Sequence, residues 1–520
     1  MQQASHYWQQ ADALDKAGDH AAARDAYAAV LAGDADHAAA WLRLGRLERI
    51  ADHYRQAVDC ALRAADAVRN RQAWRNLSFV TLRLLELDQR QRATELIRQA
   101  DWQQPAVLQQ AAVLAQHLYL AGEYQVSLAL IELANRHVGA HHLLSYERGN
   151  ALRAVGDMDG ASLAYEQAID LRPVHALAHW ALASHRPAHS LQRIERLRQA
   201  LAGTPESSED SAYLQYALFK EYDAAGAHEP AWTALEAGAA IKHNRLIRDP
   251  DLEARNCERL RQLALPATDE ARHTNDHALT PIFIVGMPRT GTTVLERILD
   301  NHPGVVSAGE LNDFNSAVSM AADHFFIGGL LQRDWQVLET VDWQRVGELY
   351  LQRIAPWSKA ARFVVDKHPA NFFNAAWIAR ALPHAKILCL LKEPMDACFS
   401  NLKELFAGDA YSYSYDQRSL AQHYRQVRTL AGHWQQRMPS RFKCVGYNEL
   451  VREPATMAAD IARFCGIEYD PGSVRIERNH SPTATASNSQ VRTAIHDASI
   501  DAWKSYAQPL RPLQTALAGD

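Results

Sequence analysis

The chain has few cysteines for its 520 residues, six in all, and they are scattered without a C-x-x-C pair. That spacing excludes a disulfide-dense secreted scaffold and a thiolate zinc knuckle, and points to small buried side chains in a reducing compartment. There is no basic excess either. Fifty-five basic residues face sixty acidic ones, for a net charge of -5, so no general nucleic-acid partner is expected. No apolar run approaches the ~18 residues of a membrane span, so no membrane partner is expected. The opening MQQASHYWQQADALDKAGD lacks a basic segment followed by an apolar one, which reads as no secretory leader. No cluster of His, Cys and Asp has metal-ligand spacing, so any reaction is expected to run without a metal. Together these absences predict a soluble, cytoplasmic protein.

A chain of this length exceeds one hydrophobic core, and its two halves differ in kind. Up to Gln262 it is rich in Ala, Leu, Arg, Gln and Glu, with little proline. Apolar residues recur at three- and four-residue steps, as in Trp41, Leu44 and Leu47 or Leu77, Val80, Leu84 and Leu87. A longer period lies beneath. Trp41-x-x-Leu44-Gly45 opens a unit, Gly18, Ala23 and Tyr27 occupy later positions of the unit before it, and Gly149, Gly156, Ala161, Tyr165, Ala168 and Pro173 share one register further on. These offsets resemble the tetratricopeptide repeat, a helix–turn–helix unit of about 34 residues. Small residues such as Ala23, Ala57 and Ala161 would let paired helices approach, Tyr27 and Tyr165 would fill the gap to the next unit, and Trp41 and Trp74 read as core. Such an array serves either as a surface that grips a peptide or protein, or as a packing scaffold open to homodimer formation. Both readings stand.

The polar stretch 263–280 loses the helical period and reads as a linker. The expected division is thus a helical repeat domain at 1–262, a linker at 263–280 and a second domain at 281–520. That second domain opens on Pro281-Ile-Phe-Ile-Val285, a buried strand by its β-branched content, then Gly286-Met-Pro-Arg-Thr-Gly291-Thr292-Thr293, then an amphipathic helix. Strand, glycine loop and helix form the context in which backbone N–H groups and a helix N-terminus hold a phosphate. Thr292 stands where a nucleoside-triphosphatase loop carries lysine, which argues against ordinary ATP or GTP hydrolysis. A cation, Arg289, lies inside the loop instead.

The segment IFIVGMPRTGTTVLERILDNHPGVVSAGEL resembles the 5′-phosphosulfate-binding segment of sulfotransferases, nearest the tyrosylprotein sulfotransferase-like and bacterial tetratricopeptide-repeat groups. The resemblance runs from about Pro281 to Leu513. It implies a three-layer α/β/α, P-loop-like domain with a mainly parallel sheet, strands near Ile282, Phe363, Ile387 and Cys444, and 3′-phosphoadenosine-5′-phosphosulfate as sulfuryl donor. It implies Pro288, Arg289, Thr290, Gly291, Thr292 and Thr293 around the donor's 5′ end. It makes Glu310 the general base, with partial burial expected to raise its pKa, and Lys367 the cation on the leaving oxygen. Arg289 joins them as a catalytic cation.

Lys392 and Ser400, eight residues apart after a strand, resemble the family's 3′-phosphate site, with lysine in place of its arginine. Tyr447 is placed near the adenine and Ser487 in the donor-closing loop, with Arg492 and Lys504 as weaker matches. His302 and His368 read as structural histidines. The acceptor is expected to be a hydroxyl; the resemblance to tyrosylprotein sulfotransferases and the repeat array favour a peptide tyrosine, with a glycan or small-molecule hydroxyl open. A strand ending in Asp366 keeps a Mg-dependent P-loop kinase or NTPase as one alternative, and a repeat adaptor with a dead nucleotide-binding domain as another.

Overall fold

Among the described residues the chain forms sixteen α-helices between Gln2 and Gln262 and an α/β arrangement from Thr280 onwards. The computed structural model describes residues 2–188, 190–265, 279–358, 361–479, 481–482 and 492–519. The expected linker therefore lies mostly outside the described residues, at 266–278, as does Ser487 of the donor-closing loop.

The small residues picked out by the repeat do bring helices together. A Cβ on Gly45 would stand 3.0 Å from the Cβ of Cys60, so helices Ala38–Ile50 and Tyr54–Arg71 meet at a distance only glycine allows without adjustment. Ala23, Ala57 and Ala161 are buried, and so are Tyr27, Tyr165 and Trp74. Tyr27 meets Trp8 edge-on at 5.5 Å, and Trp41 is partly buried with its indole N–H donating to the Ala35 carbonyl.

Packing divides the chain into two compact units. One joins Met1–Ala164 with two later segments, Asn315–Phe326 and Asp334–Asp342. Within it the turn at Asp52 takes the backbone N–H of Phe325, and Arg55 donates to the carbonyls of Met320 and Ala321. Tyr54 meets Phe325 edge-on. The second unit comprises Tyr165–Phe314, Ile327–Arg333 and Trp343–Asp520.

The second unit holds a five-stranded sheet of order β2-β3-β1-β4-β5, parallel at every pairing. Its strands are β1 (Thr280–Gly286), β2 (Val305–Ser307), β3 (Phe363–Asp366), β4 (Lys386–Leu391) and β5 (Phe442–Gly446). Four were expected. The three-residue β2 was not, being too short to carry a period.

Alternation along the strands sends side chains to two covered faces. Ile282, Ile284, Val365, Leu388, Leu390 and Val445 pack with the Thr292–Asp300 and Pro454–Cys465 helices. On the other face Phe283 stacks on Tyr350, while Phe442 meets Trp434 of the Gln417–Arg437 helix. Those two covered faces make the domain three-layered, as the fold class required.

Gly286 ends β1 with φ 134°, and a Cβ there would sit 2.7 Å from the Leu390 carbonyl oxygen of β4. Gly286→Ala must therefore strain the backbone and push the central strands apart. We expect it to lower stability by about 2–4 kcal/mol, read from the denaturant midpoint.

Candidate active site

The loop from Gly286 to Gly291 is held from two sides. Asn401, fully buried in the Pro394–Leu402 helix, donates to the carbonyl of Pro288 at 2.9 Å. The Thr290 hydroxyl donates to the Met287 carbonyl at 2.7 Å, so it braces the turn from within. Arg289 adopts φ 64° and Gly291 φ 98°, and a Cβ on Gly291 would stand 2.4 Å from the ring of Tyr447. Thr292 and Thr293 are buried in the first turn of the Thr292–Asp300 helix. The Arg289 guanidinium lies 3.7 Å from Glu404, whose carboxylate also faces Lys220 at 3.6 Å.

Parallel pairing of β2 with β3 assembles the next group. Ser307 is in register with Val365, and the ladder continues as the Lys367 N–H donates to the Gly309 carbonyl. The segments carrying Glu310 and Lys367 thereby run side by side, and the Lys367 ammonium donates to Glu310 Oε1. Lys367 is 1% exposed, whereas the Glu310 side chain keeps 45% of its surface open. Lys367 also faces the buried Glu296 of the loop helix at 3.9 Å.

Burial alone would push the Glu310 carboxyl up, as the sequence suggested. The charges of Lys367 and His368 and the lysine hydrogen bond outweigh that, and hold it below the usual carboxylate range. The expectation of a raised base is thus corrected: the cation beside it wins. Burial likewise opposes the Lys367 charge, but Glu310, Glu296 and Asp366 overcome it and raise its pKa. Glu296 goes the other way, raised chiefly by burial against the opposing pull of Lys367 and Ser307. Asp366, adjacent in sequence to Lys367, faces the opposite side of the sheet and accepts the Tyr350 hydroxyl at 2.9 Å. The carboxylate that kept a metal-dependent nucleotide reaction open is therefore turned away from Lys367.

A third cluster forms at the end of β4. Lys392 is 5% exposed. Its ammonium reaches the hydroxyls of Ser400 at 3.5 Å and Ser499 at 3.1 Å, and lies 4.5 Å from the centre of the Tyr447 ring. The Tyr447 hydroxyl pairs with Ser499 at 2.7 Å. Asp396 accepts the Asp501 N–H, so the 499–501 segment is tied down at both ends. Burial, with Lys403 and Arg289 adding to it, pushes the Lys392 ammonium down to about 8 against the pull of Asp396. Ammonium and hydroxyls converging on one spot form a donor set suited to an anion.

The sequence named Lys392, Ser400 and Tyr447, which stand together, but not Ser499 or Asn401. Lys504 is exposed and pairs with Asp501. Arg492 feels the charge of Arg297. Tyr411, with φ 54° and its ring against Phe406, lies within the field of Glu310 and was also unannounced.

Residues 281–471 match the model of a sulfotransferase family. Among curated proteins, the chain is 25% identical over 397 residues to an uncharacterized protein of Aquifex aeolicus, covering 74% of this chain and 51% of that one. It is 24% identical over 193 residues to protein-tyrosine sulfotransferase 1 of Danio rerio, covering 36% and 54%. The chain spans about half the length of these two relatives. Similar solved structures include the sulfotransferase domain of the Synechococcus PCC 7002 olefin synthase, at 17% identity, 45% and 97% coverage and a TM-score of 0.29. Another is the C-terminal part of a TPR repeat-containing protein from Cytophaga hutchinsonii, at 16% identity, 45% and 94% coverage and a TM-score of 0.32. No helix among the described residues is long and apolar enough to cross a membrane.

Proposed function

We propose that the chain is a sulfotransferase that moves a sulfuryl group from 3′-phosphoadenosine-5′-phosphosulfate to an acceptor hydroxyl, with a peptide tyrosine as the favoured acceptor. The observation that carries this reading is the Glu310–Lys367 pair, a half-open carboxylate on a buried ammonium beside the helix of a glycine loop. The donor supplies an activated sulfuryl group on a phosphate leaving group. Glu310, open to the acceptor side, receives the hydroxyl proton. Lys367 offers its N–H bonds to the leaving oxygen as negative charge builds there. Arg289 and the N–H groups at the start of the Thr292–Asp300 helix hold the 5′ end. Lys392 with Ser400 and Ser499 takes the 3′-phosphate, and Tyr447 beside them lies near the adenine. Ser487 keeps its proposed place in the closing loop.

Two features support a phenolic acceptor. Tyr411, packed edge-on against Phe406, supplies aromatic surface within the field of Glu310, and part of the chain is similar to a protein-tyrosine sulfotransferase. The helical array, read as tetratricopeptide-like, would grip a peptide or protein acceptor. Six free thiols suit a reducing cytoplasm. Calorimetry with 3′-phosphoadenosine-5′-phosphate is the direct test, followed by mass spectrometry on a tyrosine-peptide library. Failure to bind the nucleotide would overturn the donor assignment, and sulfation of sugars but never of peptides would overturn the acceptor.

The lowered Lys392 gives that binding a pH dependence. Its ammonium is charged below about 8 and loses its proton above, so nucleotide affinity should fall between pH 7 and pH 9 with proton uptake on binding. Lys392→Arg, charged throughout, should keep its affinity at pH 9. Lys392→Ala should weaken binding at pH 7 by roughly ten- to a hundredfold. Isothermal titration in buffers of different ionisation enthalpy reads both effects.

A further inference from the structure

Glu296 occupies the second turn of the loop helix and is 6% exposed. One carboxylate oxygen takes the Ser307 hydroxyl at 2.6 Å. The other is buried with no hydrogen-bond partner and faces the Lys367 ammonium at 3.9 Å. A buried carboxylate oxygen left unpaired is costly, and structures rarely keep one without a use. Here it lies just short of hydrogen-bonding distance from a cation already engaged by a second carboxylate.

We propose that Glu296 is a positioning residue that takes over the Lys367 ammonium when Glu310 turns to the acceptor, keeping the lysine charged and aimed at the leaving oxygen. The inference rests on the sulfotransferase reading and adds a residue to it. The charges support the assignment. At rest one ammonium faces two carboxylates. Once Glu310 has received the acceptor's proton it is neutral, and Glu296 remains as the counter-charge to a buried ammonium. The ammonium has three N–H bonds. A small shift gives one to Glu296 and leaves others for the leaving oxygen.

The groups facing this exchange are few. Glu310 and Ser307 come from the β2 segment, His368 from the β3 end, and Arg297 from the loop helix itself, while Asp366 acts on Lys367 only through its charge, from the other side of the sheet. Glu296→Gln keeps shape and one hydrogen bond but removes the counter-charge. Burial then acts on Lys367 with one carboxylate fewer against it, so the ammonium should lose its proton more readily. The high-pH limb of the single-turnover rate should move towards acid by about one pH unit, with little change in donor KM. Glu296→Asp should recover part of that shift. Ser307→Ala, which frees the carboxylate oxygen of its hydroxyl, should give a smaller shift in the same sense and serves if the glutamine variant folds poorly.

A limb unmoved in Glu296→Gln would overturn the proposal while leaving the transferase reading intact. Titration of the Lys367 Cε resonance in 13C-lysine-labelled protein reads the same shift without turnover. A lowered lysine titration in Glu296→Gln, with wild-type protein that transfers no sulfuryl group, would keep the pairing and retire the function. An unchanged titration would retire the pairing.

Discussion

Glu310→Gln is expected to lower the single-turnover rate by about 10²–10⁴ while leaving nucleotide affinity nearly unchanged. The glutamine keeps the shape of the side chain and can still accept the Lys367 N–H, but cannot take a proton from the acceptor. Nucleotide affinity should hold because Lys367 retains Glu296 at 3.9 Å and the Lys392 cluster is untouched. The wild-type acid limb carries a second signature. The neighbouring cation holds Glu310 below the usual carboxylate range, so activity should persist into acid and fail only once that lowered pKa is passed. A base raised by burial would instead lose activity nearer neutrality. Rapid-quench turnover across pH distinguishes the two. Near-normal turnover in Glu310→Gln would move the base elsewhere, with His368 the first residue to test.

Lys367→Met should cost about 10²–10³ in turnover, the usual worth of one donor aimed at developing negative charge. It should also change stability, and the sign depends on pH. Glu296 already has a raised pKa in the folded chain, because burial outweighs the pull of Lys367. Without the lysine it rises further. A carboxyl raised by folding costs nothing while protonated in both states, and destabilises as pH climbs from its unfolded value through its folded one. The stability deficit of Lys367→Met should therefore be small near pH 5 and larger at pH 8. Urea unfolding at the two pH values measures it, and an equal deficit at both would contradict the charge assignment. In the Lys367→Met, Glu296→Gln double variant the pH-dependent part should shrink, because the buried carboxyl is gone.

Local sequence carried much of this site. The strand, glycine loop and helix were legible because their signals are contiguous, and Lys392 and Ser400 because the segment that carries them resembles the 3′-phosphate site of sulfotransferases. Two kinds of residue were not. Glu296 looks like any polar position on an amphipathic helix, and only the packing of that helix on the sheet reveals that it faces Lys367. Ser499 meets Lys392 from 107 residues away, and no local period announces such a partner. The Glu310 titration was misjudged for the same reason, since burial can be guessed from neighbours in sequence but the opposing cation comes from another strand.

The helical unit that begins the chain is completed by residues made much later. Asp52, Tyr54 and Arg55 find their partners in Met320, Ala321 and Phe325. β1, likewise, lies inside the sheet between strands that begin at Phe363 and Lys386. On the ribosome the first helices must therefore wait with an apolar surface uncovered until residues near 325 have left the exit tunnel. Expression of the first 164 residues alone would make that wait permanent. The truncated chain should need chaperones or aggregate, and a co-expressed peptide spanning 315–342 is the natural rescue.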